Sequence, residues 1–115
     1  MWKNLYEETI EDISDFNHTR EDISWIGTYD FQVDIDKFFE VAKNTYYDSG
    51  FGSAEIPTDL MIVFTNGDSL QRREYDGSEW WCYCPGLKKP AKKYDFTVDN
   101  FATIKYETYL IDYVH

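Results

Sequence analysis

Nowhere in the chain does an apolar run approach the ~20 residues that a membrane-spanning helix needs. Met1-Trp2-Lys3 leads straight into acidic residues, with no hydrophobic stretch of the kind that directs secretion. A cytoplasmic protein is therefore expected, with no membrane partner. Cysteine is scarce. Cys82 and Cys84 lie two apart on an expected strand, so they share a face, a poor geometry for a disulfide. In a cytoplasm they stay reduced. His18 and His115 are the only histidines, and neither stands at finger-like spacing from the cysteines, so no metal site is expected. The loop Gly50-Phe51-Gly52-Ser53 lacks the Gly-Lys-Ser/Thr ending of a phosphate-binding P-loop. No cofactor motif appears, and neither histidine has a nucleophile close in sequence. A non-enzyme is expected.

Positive charge is the other shortage. Eleven Lys and Arg face 22 Asp and Glu, a formal net charge of −11. Residues 1–60 hold 14 acidic and 4 basic side chains, whereas residues 61–115 hold 8 and 7. The excess acid is thus confined to the first half, and the basic cluster lies at Lys88, Lys89, Lys92 and Lys93. Such a surface repels nucleic acid and membranes and attracts basic partners. Acidity also keeps an aromatic-rich chain soluble, which is the plainer explanation.

A length of 115 residues accommodates one domain, spanning 1–115, with a core that needs no staples. Trp2, Leu5, Tyr6, Thr9, Ile10 and Ile13 fall on one stripe of a helix over residues 1–15. Glu7, Glu8, Glu11, Asp12 and Asp15 cover much of the rest. Acids at i,i+4 spacing repel one another, a local cost that hints at a use for the acidic face. Glu21 and Asp22 precede a strand at 23–28, where Gly27 marks a bulge or a close backbone contact. Asp34 suits the N-cap of a second helix, whose stripe would be Phe38, Val41, Ala42 and Thr45, running to about Tyr47.

Two turn signals, Asn66-Gly67 and Asp76-Gly77, separate three runs suited to strands, about 59–65, 69–75 and 79–84. Leu60 to Phe64 is apolar without alternation, as in a central strand covered on both faces. With two-residue turns at both hairpins, Val63 would face Leu70, Met61 would face Arg72, Arg72 would face Trp81, and Glu74 would face Glu79. Over 99–114, Ala102, Tyr106, Tyr109, Leu110 and Tyr113 fit a helix, which is the expectation, while the β-branched and tyrosine content would equally suit a strand. The fold class is α+β: an antiparallel β-meander of three to four strands packed with two to three helices.

Glu74 opposite Glu79, beside Trp80 and Trp81, could form a carboxylate pair near a sugar-stacking platform. Arg72 or Arg73 could equally neutralise either acid, leaving a structural pair.

The run Arg73-Glu74-Tyr75-Asp76-Gly77-Ser78-Glu79-Trp80-Trp81, with Gly67-Asp68-Ser69-Leu70 and Ala54-Glu55-Ile56-Pro57 upstream, resembles a segment of small bacteriophage and mobile-element proteins. The likeness covers residues 50–84 and leaves the acidic helix outside it. It implies a phage setting, in which small acidic proteins act as stoichiometric inhibitors of host nucleic-acid-binding machinery. The anti-CRISPR inhibitors of CRISPR–Cas effectors are among these. On that reading the partner is a basic host protein, contacted by Glu7, Glu8, Glu11, Asp12, Asp15, Glu21 and Asp22. Glu74, Asp76, Glu79, Trp80 and Trp81 form an anchor or secondary contact, and nucleic acid itself is not bound. The alternatives are a small-ligand or carbohydrate-binding module using the Trp80/Trp81 hairpin, and a phage accessory protein without inhibitory role.

Overall fold

A computed structural model of the chain describes residues 2–93. The first element is not the expected helix but a short strand, β1 (Trp2–Asn4), after which α1 runs Leu5–Asp15. Asn4 makes the break. Its side chain accepts the Glu7 N–H at 3.0 Å, and the Leu5 N–H leaves the helix for the Thr45 carbonyl at 2.9 Å. The expected stripe holds from Leu5 onward, with Leu5, Thr9 and Ile13 buried, but Trp2 leaves it for β1 and stays 72% exposed. At the other end Asn17 turns left-handed (φ 62°). The His18 N–H then reaches Ile13 and the Asn17 N–H reaches Ser14, the paired bonds of a Schellman cap.

A single 3₁₀ turn, Arg20–Asp22, leads into β2 (Ile23–Gly27), followed by β3 (Gln32–Val33) and α2 (Ile35–Lys43). Gly27 marks a close contact: a Cβ there would lie 2.3 Å from the Phe31 carbonyl oxygen. The bulge in β2 lies upstream, between Ile23 and Trp25. Asp34 caps α2 as expected, accepting the Lys37 N–H at 2.8 Å. Its buried residues are Phe39 and Ala42, whereas Val41, placed on the core stripe by periodicity, faces solvent. The helix stops at Lys43, short of Tyr47, because Tyr46–Asp48 forms β4 against β1.

The remaining strands are β5 (Met61–Phe64), β6 (Ser69–Tyr75) and β7 (Ser78–Cys84). They complete a five-stranded antiparallel sheet in the order β3-β2-β5-β6-β7, beside the two-stranded β1-β4 sheet. The class is α+β, with more strands than the three to four expected. The additional strands β1, β3 and β4 are two or three residues long, too short for alternation to register in sequence.

The second hairpin has the expected two-residue turn. Asp76 (φ 49°) and Gly77 (φ 86°) both take positive φ, which pairs Glu74 with Glu79 and Arg72 with Trp81. The first hairpin differs by one residue. Its connection is Thr65–Asp68, in which Asn66 Oδ1 accepts the Asp68 N–H and Phe64 N–H reaches the Asp68 carbonyl. Ile62 therefore faces Leu70, and Met61 faces Gln71. A slip of one residue exchanges the faces of β5. Ile62 and Phe64 join Leu70, Arg72 and Trp81 under the helices, where Leu5, Ile13, Phe39 and Ala42 close the core. The helix expected at 99–114 lies outside the described residues.

Candidate functional site: an acidic cleft beside a buried arginine

Arg72 is the pivot. Strand alternation aims it at the helix side of the sheet, and its side chain is 1% exposed. Its guanidinium donates to Glu79 Oε1 at 3.0 Å, to the Tyr47 hydroxyl at 3.1 Å and to Glu8 Oε1 at 3.4 Å. It also lies 4.9 Å from the ring centre of Trp81 and 5.4 Å from that of Tyr47. Glu79 accepts the backbone N–H groups of Glu55 (2.7 Å) and Ile56 (3.1 Å), so it anchors the long loop before β5. Glu8 takes the Tyr47 hydroxyl at 2.6 Å and the Lys3 ammonium at 3.6 Å. Burial pushes the Tyr47 phenol above its ordinary range, and the bond to Glu8 adds to the shift. The Trp81 indole N–H reaches Thr9 Oγ1 at 2.9 Å. The buried Arg72 and the partly exposed Lys3 thus offset the two buried carboxylates.

Three residues expected at a contact surface are spent in this network. Glu8 and Glu79 have side chains 8% and 4% exposed, and Trp81 is 5% exposed. Burial of Trp81 also undoes the paired-tryptophan platform, since Trp80 lies on the opposite face of β7, across from Arg73. Glu74 does stand opposite Glu79, yet only Glu74 is exposed, and the Arg72 ion pair and two amides occupy its neighbour.

What remains outside is coherent. Glu7, Glu11 and Asp15 are exposed along α1, and Glu21 is exposed beyond it. Asp22 is half-buried, capping Thr19 and facing His18 Nδ1 at 3.3 Å. Asp76 sits exposed at the hairpin tip with Glu74. Between α1 and β7 opens a cleft of about 390 Å³. Glu7, Glu8, Glu11 and Asp12 form its acidic wall, Trp80 and Trp81 the wall from β7, and Trp2, Lys3 and Asn4 its end. Burial, then the carboxylates of Glu8 and Asp15, push the Asp12 carboxyl up to about 6. Among the described residues no ion pair reaches Glu7, Glu11 or Asp12. The sequence signals for the acid wall and for the hairpin are far apart; the fold joins them. Trp2 and Lys3 had no signal as site residues beyond their oddity at the head of an acidic segment.

A second polar cluster secures the far end of the sheet. Asp68 accepts the Gly86 N–H at 2.7 Å, the Tyr83 hydroxyl, the Asn66 amide at 3.0 Å and a contact from His18 Nε2 at 3.4 Å. These donors, Gly86 first, hold its carboxyl well below the usual range. His18 stacks on Phe64 and Phe16 on Tyr83. Cys82 and Cys84 are free and half-buried. Among the described residues no group of three or more His, Cys, Asp or Glu is placed to hold a metal, and no helix is long and apolar enough to cross a membrane. Lys88, Lys89, Lys92 and Lys93 are exposed, and no ion pair among the described residues joins them to the acidic half.

The chain matches no protein-family model, no curated protein and no solved structure.

Proposed function

We propose that this chain is a phage-encoded interaction protein that binds and inhibits a basic nucleic-acid-binding protein of the bacterial host, a CRISPR–Cas effector being the type of target. It acts by binding, not catalysis, in the host cytoplasm, and presents carboxylates where phosphates would lie. The supporting observation is the acidic face of α1: Glu7, Glu11, Asp12 and Asp15 stand together, and among the described residues no ion pair reaches them. Their i,i+4 repulsions cost about 0.2–0.5 kcal/mol each, and a soluble protein could carry the same charge where it costs nothing. Carboxylates so placed pair with the Arg and Lys that normally hold phosphates, and the attraction speeds encounter.

The test is capture of host proteins by the immobilised chain at low salt and at about 0.5 M, where the Debye length shrinks to a few ångströms. A nucleic-acid-handling protein is expected at low salt, weakened at high salt. Reversing Glu7, Glu11 and Asp15 to Lys should abolish both its capture and its inhibition with the fold intact. A partner indifferent to salt and to the reversed helix would sink this reading.

A further inference from the structure

We infer that the cleft between α1 and β7 seats one arginine side chain of the basic partner, its guanidinium stacked on the Trp80 indole and paired with Glu11 and Asp12. This rests on the reading of a basic partner given above and adds the chemistry of its anchor.

The protein already holds one arginine in this manner. Arg72 lies over the Trp81 ring and donates to Glu8 and Glu79, and both Trp81 and Glu8 also line the cleft. Trp80, 38% exposed on the outer face of the edge strand β7, also lines the cleft, together with Glu11 and Asp12. Among the described residues the cleft's charge is unbalanced: of the four acidic residues lining it, only Glu8 is ion-paired, with Arg72 and with Lys3. Burial first, then Glu8, Asp15 and Glu11, hold the half-buried Asp12 carboxyl up at about 6, and the nearby Lys3 offsets them only in part.

Shape and chemistry narrow the occupant. At about 390 Å³ the cleft is at the small end for ligand sites and suits a side chain better than a strand of nucleic acid. A sugar would leave the carboxylate charge uncompensated. A lysine would bring a point charge, which Lys3 already supplies at Glu8. A guanidinium offers both a flat face for an indole and a fork of donors for carboxylates.

The probe is a capped tripeptide, acetyl-Gly-Arg-Gly-amide, titrated into the full chain at low salt while the four indole N–H resonances are followed by NMR. Saturable shifts are expected at Trp80 and Trp2 and none at Trp25, which lies on β2 away from the cleft. The lysine peptide should bind several-fold more weakly and the citrulline peptide not at all. Trp80→Ala should weaken binding by roughly 2- to 30-fold, and Asp12→Asn with Glu11→Gln by on the order of tenfold. Trp80→Phe, which preserves an aromatic wall, should retain part of the affinity. No shift, equal binding of arginine and lysine peptides, or indifference to these substitutions overturns the anchor. Salt-sensitive capture of the host partner that is undiminished in Trp80→Ala likewise overturns the anchor but leaves the proposed function standing. Loss of capture only on reversing helix charge, with no peptide response, does the same.

Discussion

At the scale of single residues, the chain separates charges that are satisfied from charges that are not. Arg72 is satisfied except at Nε, which is buried without a hydrogen-bond partner. Truncating it strands two carboxylates in the core, so Arg72→Leu should cost about 3–5 kcal/mol, read from denaturant unfolding. Asp12 is the opposite case. Its folded pKa of about 6 lies above its ordinary 3.8, so the native state holds the proton more tightly than the unfolded chain. The stability tied to that proton is fully present below about pH 4 and is lost as pH rises through 6. Asp68, held low, acts the other way: its contribution is present above pH ~4 and disappears on further acidification. The two windows are separate. Asp12→Asn should therefore raise the thermal midpoint at about pH 7.5, with its advantage over the parent shrinking as pH falls toward about 5.

At the scale of elements, caps and close contacts decide where helices and strands stop. Asn4 ends β1 and starts α1, and its amide also donates to the Lys43 carbonyl at 3.0 Å, tying the two helices' ends together. Asn4→Ala should cost about 1–2 kcal/mol, toward the upper part of the usual capping range because two bonds go. Gly27 offers a sharper test. Any side chain there meets the Phe31 carbonyl at 2.3 Å and Gln32 Cα at 2.7 Å, both backbone atoms that cannot swing aside. Gly27→Ala should cost about 1–3 kcal/mol and pry β3 from β2, visible as faster amide exchange at Thr28, whose N–H bonds the Phe31 carbonyl.

At the scale of the whole molecule, the asymmetry of charge dominates. The acid-rich half provides the two described helices and one edge of the sheet, while the balanced half provides the hairpins that hold Arg72 against Glu8. A net charge of −11 on 115 residues repels itself, so salt should stabilise the fold. Raising sodium chloride from about 20 mM to about 0.5 M is expected to raise the thermal midpoint by a few degrees, the opposite of its expected effect on binding of the proposed partner. Opposite responses of stability and binding to one variable separate self-repulsion from recognition.

Local chemistry was legible wherever its partners were close in sequence. The Asp76-Gly77 turn determined the β6–β7 register, because two positive-φ residues leave one way to pair their flanks. The α1 stripe from Leu5 and the Asp34 cap were legible for the same reason. The β5 register was not: Asn66-Gly67 reads as a two-residue turn, but Asp68 joins the connection through its bonds to Asn66, Tyr83 and Gly86. Nor could adjacency distinguish Trp80 from Trp81, since which side of a sheet is buried depends on where the helices pack. Glu8 and Arg72 meet across 64 positions, and Trp81 and Thr9 across 72. The acid, the aromatics and the second hairpin were written into the order of residues alone. Which acids find an ion pair and which are left at the rim of the cleft was settled by packing, because burial made unpaired charge too costly inside and solvent tolerated it outside.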